Sequence, residues 1–189
     1  MARDGDGVPD SDEELIARFR AGEAGAFDAL ARAHGRDVFV LAMGLLGNTE
    51  DAQDVAQDVL ITLYAHLGRL RDPQALPAWL SRVCLNRCRM VLRRRRPTEA
   101  FGDRELAGDP RDGPDARLLG SETRIAVRQA LLKLPRRQQQ VFVLRHFAGR
   151  SIEETALALG CAQATVRVHL SRAVARLHEA LSEKEGDDG

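Results

Sequence analysis

A chain of 189 residues that is 44% hydrophobic but only 4% aromatic can bury one medium core or two small helical ones. Its wealth of Ala, Leu, Arg and Glu and its lack of long β-branched runs argue against a sheet core. The formal charge of zero is a cancellation of blocks: residues 1–60 sum to −8, 61–97 to +8, 98–122 to −4, 123–178 to +8 and 179–189 to −4. Two basic blocks of this density suit a polyphosphate partner, and the acidic ones need a different partner or serve solubility.

The segment Met1–Pro9 is acidic and Gly-rich with no apolar h-region, and no stretch reaches the length of a membrane span, so a soluble cytoplasmic protein is expected. Ser11 and Glu14 form a capping box ahead of Leu15, Ile16 and Phe19, which predicts a short helix ending near Gly22. Phe27, Leu30, Ala31, Val38, Leu41 and Leu45 then recur at helical spacing up to Gly47 and Asn48. Thr49 is placed to cap a third helix, Glu50 to about Leu67, with Ala52, Val55, Ala56, Val59 and Leu63 inward. Asp51, Asp54 and Asp58, with Gln57 beside them, share another face. Without His or Cys partners this anionic stripe does not suggest a transition metal. It is a solvated face or a docking stripe for a basic partner helix, and spacing alone leaves the two even.

Pro73 and Pro77 precede a fourth helix, Ala78 to about Arg96, with Leu80, Val83, Cys84, Cys88, Val91 and Leu92 inward. Arg82, Asn86, Arg89 and Arg93 fall at steps of four, three and four and therefore on one face, which Arg94, Arg95 and Arg96 extend. The arginines suit phosphates. The amide of Asn86 both donates and accepts, as reading the edge of an unstacked base requires. Trp79 beside Pro77 is read as core. Cys84, Cys88 and Cys161 give neither an even disulfide framework nor a second ligand pair, and are read as buried reduced thiols. No metal or cofactor is expected.

Residues 97–120 hold three prolines, four glycines and an acidic excess without apolar periodicity, the composition of a flexible linker. Beyond it, Ser121 to about Glu183 reads as three or four helices broken at Pro135, Gly149 and Gly160. Ser151 and Glu154 form a second capping box, and Ile152, Ala156 and Leu159 face inward up to Gly160. Ala156, Gly160 and Val166 have the spacing of a helix-turn-helix: a small residue for close approach, a glycine for the turn and an apolar residue in the angle. On its second helix Val166, Leu170, Val174 and Leu177 are expected inward, and Gln163, Arg167, Val168, Ser171 and Arg172 outward, toward a DNA major groove. The expected architecture is all-α: two small helical domains, 11–96 and 121–183, joined by linker 97–120.

The acidic helix, the Asn-and-Arg helix and the C-terminal helix-turn-helix, in that order, resemble the sigma-70 family of RNA polymerase sigma factors, specifically its extracytoplasmic-function group. The resemblance runs from Ser11 to about Leu181. Residues 50–60 look like region 2.2, which implies that Asp54, Gln57 and Asp58 contact the β′ clamp helices of core RNA polymerase. The segment from Ala78-Trp79-Leu80 through Asn86-Arg87 to Arg96 looks like regions 2.3 and 2.4, which open the downstream promoter element and capture a flipped base. Asn86 stands at the family's usual asparagine. Leu134-Pro135-Arg136-Arg137-Gln138, Val141–Arg145 and the helix-turn-helix resemble regions 4.1 and 4.2, which bind the upstream promoter element. There Val168 and His169 depart from the Ser and Arg common in the group. The resemblance implies a non-enzymatic initiation factor with core polymerase, promoter DNA and an anti-sigma protein as partners, and a linker threading the polymerase channels. Two rivals differ in class: a helix-turn-helix regulator binding operator DNA alone, and a nuclease using Asp51, Asp54 and His34.

Overall fold

The computed structural model describes residues 11–94 and 121–185. The expected linker, 97–120, and the basic residues Arg95 and Arg96 lie outside them. Every regular element among the described residues is helical: α1 (Asp12–Arg20), α2 (Ala26–Leu46), α3 (Thr49–Leu67), a 3₁₀ turn (Pro73–Ala75), α4 (Leu76–Arg94), α5 (Ser121–Lys133), α6 (Arg136–His146), α7 (Ile152–Leu159) and α8 (Gln163–Glu185).

Helix starts follow local chemistry. Ser11 and Ser151 both close full capping boxes, with Glu14 and Glu154 reaching back to the cap backbone. The Ser11 backbone N–H and hydroxyl hold the Glu14 carboxyl below its usual range. The cap of α3 is Asn48 rather than Thr49: Asn48 is extended, at φ −132°, and its side chain accepts from the Asp51 backbone N–H at 2.9 Å. Thr49 is already helical. The fourth helix starts two residues earlier than expected, at Leu76, because Pro77 fits a first turn where no backbone N–H is needed.

Helices α1–α4 enclose a core of Ile16, Leu30, Leu41, Val59, Leu63, Leu67, Leu76 and Leu80, all buried. That core continues into the C-terminal half: Val143 and Leu144 of α6, Ala148 beyond it and Ala158 of α7 join it by packing on α2 and α4. Two smaller clusters hold α5–α8 together. One is Ala130, Leu131, Leu134, Ala173 and Leu177; the other is Val141, Ala156 and Val166. One sequence expectation is corrected here. Val174 is 46% exposed and Ala173 takes its inward place, because the buried stripe of α8 runs 166, 170, 173, 177 and turns by three residues where a step of four was expected.

Gly160 ends α7 in the left-handed conformation, φ +62°, and the Cys161 backbone N–H closes the turn on the Ala156 carbonyl at 3.0 Å. Gly160→Ala should therefore cost roughly 1–2 kcal/mol. Gly68, at φ −62° with open space around its Cα, should accept alanine without loss. Thermal unfolding of the two variants checks this: only the first should melt lower.

Candidate nucleic-acid interface and docking helix

Burial of Leu80, Ser81, Cys84, Leu85 and Cys88 fixes the rotation of α4 and leaves a basic face outward. On it Arg82, Asn86 and Arg93 are exposed, and Arg89 is half-buried. Structure and sequence agree on this face, and Asn86 stands near its centre. Arg82 carries one unforeseen contact, donating from Nη2 to the Leu157 carbonyl of α7 at 3.2 Å. Trp79 lies one face-repeat before Asn86 and is half-buried rather than enclosed. Its ring is 5.9 Å from that of His66, and both line a shallow hollow with Leu63, Leu67, Arg69 and Arg71.

The thiols behind this face, Cys84 and Cys88, are buried and free as expected, whereas Cys161 is half-buried. Hydrogen bonding to Cys88 and burial together push the Cys84 thiol well up, and its Sγ lies 3.7 Å from the Val38 carbonyl. Such a group is a poor nucleophile.

On α3, Asp54, Gln57 and Asp58 are exposed and share one face, whereas Asp51 is half-buried in the first turn. Two features of this helix escaped the sequence reading. The stripe runs on into Ile61 and Tyr64, 61% and 58% exposed, so the anionic patch has an apolar extension. Tyr64 is steadied by edge-on contacts with Phe19 at 5.5 Å and Phe27 at 5.0 Å. The spacing 54, 57, 58, 61 holds that signal, but a lone Ile at an outward position does not declare itself. Second, Arg87 bridges α4 to this stripe. Its Nη2 donates to Thr62 Oγ1 at 3.3 Å and its Nη1 stands 3.8 Å from Asp58 Oδ2. At 38% and 56% exposure this pair contributes little to stability.

In the helix-turn-helix, Val166 is fully enclosed against Ala156 and Val141, which sets the angle of α8 on α7. Gln163, Arg167, Val168, Ser171 and Arg172 are all exposed along the opposite side of α8, as expected. His169 is half-buried, and its Nδ1 is sequestered without a hydrogen-bond partner. It sits at the edge of this face rather than on it.

The nuclease constellation does not assemble. His34 is buried and bonded through Nε2 to Asp12 at 2.8 Å, and no group of three His, Cys, Asp or Glu side chains among the described residues is placed to hold a metal. No described helix is long and apolar enough to cross a membrane.

Residues 30–98 match the family model of sigma-70 region 2, and residues 124–177 that of sigma-70, region 4. Over 173 residues, 90% of this chain and 85% of the relative, the sequence is 38% identical to the ECF RNA polymerase sigma factor SigM of Mycobacterium tuberculosis. It is 30% identical to the RNA polymerase sigma-H factor of Pseudomonas aeruginosa, over 91% of this chain and 94% of that one. The solved structure of CnrH in complex with the cytosolic domain of CnrY superposes with a TM-score of 0.70 at 29% identity, covering 92% of this chain and 99% of CnrH. RpoE of Bartonella quintana, at 24% identity, has the same fold with a TM-score of 0.70.

Proposed function

Since the chain belongs to the ECF group of the sigma-70 family and is a promoter-specific transcription initiation factor, we propose a division of its labour among the surfaces just described. Residues 11–96 act as region 2 and residues 121–183 as region 4, with 97–120 linking them. Asp54, Gln57 and Asp58, flanked by Asp51, dock on the clamp helices of the core polymerase β′ subunit. Arg82, Asn86, Arg89 and Arg93 take the downstream promoter element, Asn86 hydrogen-bonding a base that leaves the stack while the arginines hold phosphates. Gln163, Arg167, Val168, Ser171 and Arg172 read the upstream element in the major groove, where Arg pairs well with guanine. The chain performs no bond chemistry of its own. Binding energy on two DNA surfaces positions the polymerase and offsets the cost of melting.

The observation that supports this reading best is Asn86, exposed amid arginines on a helix whose other side is core. A regulator that binds operators alone has no use for it, nor for the acidic face of α3. The working compartment is then the cytoplasm, where polymerase and promoter meet. An anti-sigma protein is the further partner that family membership implies. CnrH, similar in sequence and fold, was solved in complex with the cytosolic domain of CnrY.

The test is a gel shift on a promoter duplex. The isolated protein should retard it weakly, and the protein mixed with core polymerase should give a stable, heparin-resistant complex. Strong, sequence-specific retardation by the protein alone would favour the operator-binding regulator.

A further inference from the structure

We propose that Val168 selects the upstream promoter element by apolar contact with the 5-methyl group of a thymine on the floor of the major groove. The inference rests on the reading of α8 as the upstream-element helix given above, and it names the base chemistry which that helix takes at its centre.

The rotation of α8 is fixed from within. Val166 and Ala173 are fully buried and Leu177 nearly so, and at about 100° per residue these three share one side of the helix. Val168 lies two positions beyond Val166 and therefore about half a turn away, on the side opposite the core, where it is 48% exposed. Its neighbours one turn away on that side, Ala164 and Ser171, are exposed and smaller, so the valine is the bulkiest side chain along that line. Arg167 and Arg172 flank it, both exposed, and no acidic residue occurs from Gln163 to His178. An exposed valine on a solvated helix needs no explanation by itself. Here the position supplies one. Counting from Gln163, Val168 falls in the second turn of α8, and the N-terminal turns of a recognition helix are those that meet base edges. The arginines on either side suit the phosphates that border a groove.

What Val168 can recognise follows from what it lacks. Its side chain neither donates nor accepts a hydrogen bond. Against the N7 and O6 of guanine, the N4 amino group of cytosine or the N6 amino group of adenine it would strip water and return nothing. Thymine alone carries an apolar group, the C5 methyl, on its major-groove edge. A β-branched side chain in a helix also has one strongly preferred rotamer, so the two valine methyls are set in place before DNA arrives. The contact therefore adds discrimination with little ordering cost.

The experiment uses the full-length protein assembled with core polymerase. Duplexes selected by this holoenzyme from a randomised pool supply the upstream segment, and each thymine of that segment is replaced in turn by uracil, which removes the methyl and leaves the base pairing unchanged. At one thymine, or two adjacent ones, the replacement should weaken binding by the wild-type holoenzyme about three- to fivefold, as expected for one buried methyl. The holoenzyme carrying Val168→Ser should be indifferent to that replacement, and the one carrying Val168→Thr, which keeps one methyl, should still respond to it. A loss at no thymine, or the same loss with the Val168→Ser protein, would overturn the proposal while leaving upstream reading by α8 in place. A selected pool without any preferred upstream segment would remove that reading, and the methyl contact with it. Val168 is outside the core, so both variants should keep wild-type helicity and co-elution with core polymerase. If Val168 instead covers a second copy of this chain, the isolated wild type sediments as a dimer and the Val168→Ser protein as a monomer, and the proposal falls.

Discussion

Reversing Asp54 and Asp58 together to lysine should abolish co-elution with core RNA polymerase while leaving the fold intact. Both side chains are exposed on the outer face of α3, and neither supports the core, which that helix builds from Ala52, Val55, Val59 and Leu63. Among the described residues the intramolecular side-chain contact at stake, Asp58 with Arg87 at 3.8 Å, is exposed and worth well under about 1 kcal/mol. Charge reversal puts like charges against a basic partner, which costs several kcal/mol, so affinity should fall by about two orders of magnitude or more. Ile61 and Tyr64 extend the same surface and supply the apolar centre that a charged stripe alone lacks. Gel filtration with core enzyme, with far-UV circular dichroism as the check on folding, reads the result. Normal co-elution of the double variant would remove α3 from the docking surface.

Asn86→Ala should have the opposite profile, with core association unchanged and promoter opening impaired. Its side chain is exposed and outside the packed side of α4, so its loss leaves no cavity. A well-placed pair of hydrogen bonds to a base edge is worth about 1–3 kcal/mol, or roughly ten- to a hundredfold in the yield of open complex. Permanganate reactivity of unpaired thymines on the promoter measures that yield directly, and undiminished footprints would end the assignment of Asn86 to base capture. The neighbouring Arg87 gives a useful contrast. It reaches back to Thr62 and Asp58 and not out from the face, so Arg87→Ala should be milder at this step.

Much of this was legible in the sequence because it rests on local rules. Two capping boxes, a helix-turn-helix triad and four i, i+3 or i+4 stripes each report on one or two turns of helix, and each stands in the structure with its boundary moved by two residues or fewer. The misses are of another kind. Asn48 took the cap from Thr49 because capping depends on which residue leaves the helix in extended conformation. Val174 turned outward because the tertiary packing of α8 on α5 and α6, not the helix period, selects between steps of three and four. The contacts between the N- and C-terminal halves, Gly44 with Val143, Gln139 with the end of α2 and Asp37 with Arg150, join residues about a hundred positions apart. No period in the sequence encodes such pairs. Gly44 in the last turn of α2 reads only as a weak spot until the side chain that requires it is in place. For the candidate site the division is similar: the exposed faces were visible as patterns, and Asn86 gained its meaning from family resemblance, with spacing showing only that the geometry permits the role.

The most direct measurement is run-off transcription with purified core RNA polymerase on genomic fragments, with and without the full-length protein. Discrete transcripts that start at one class of promoter and depend on the added protein are the predicted result. If the protein binds those fragments tightly by itself and core polymerase gains no specific starts from it, the initiation role is contradicted.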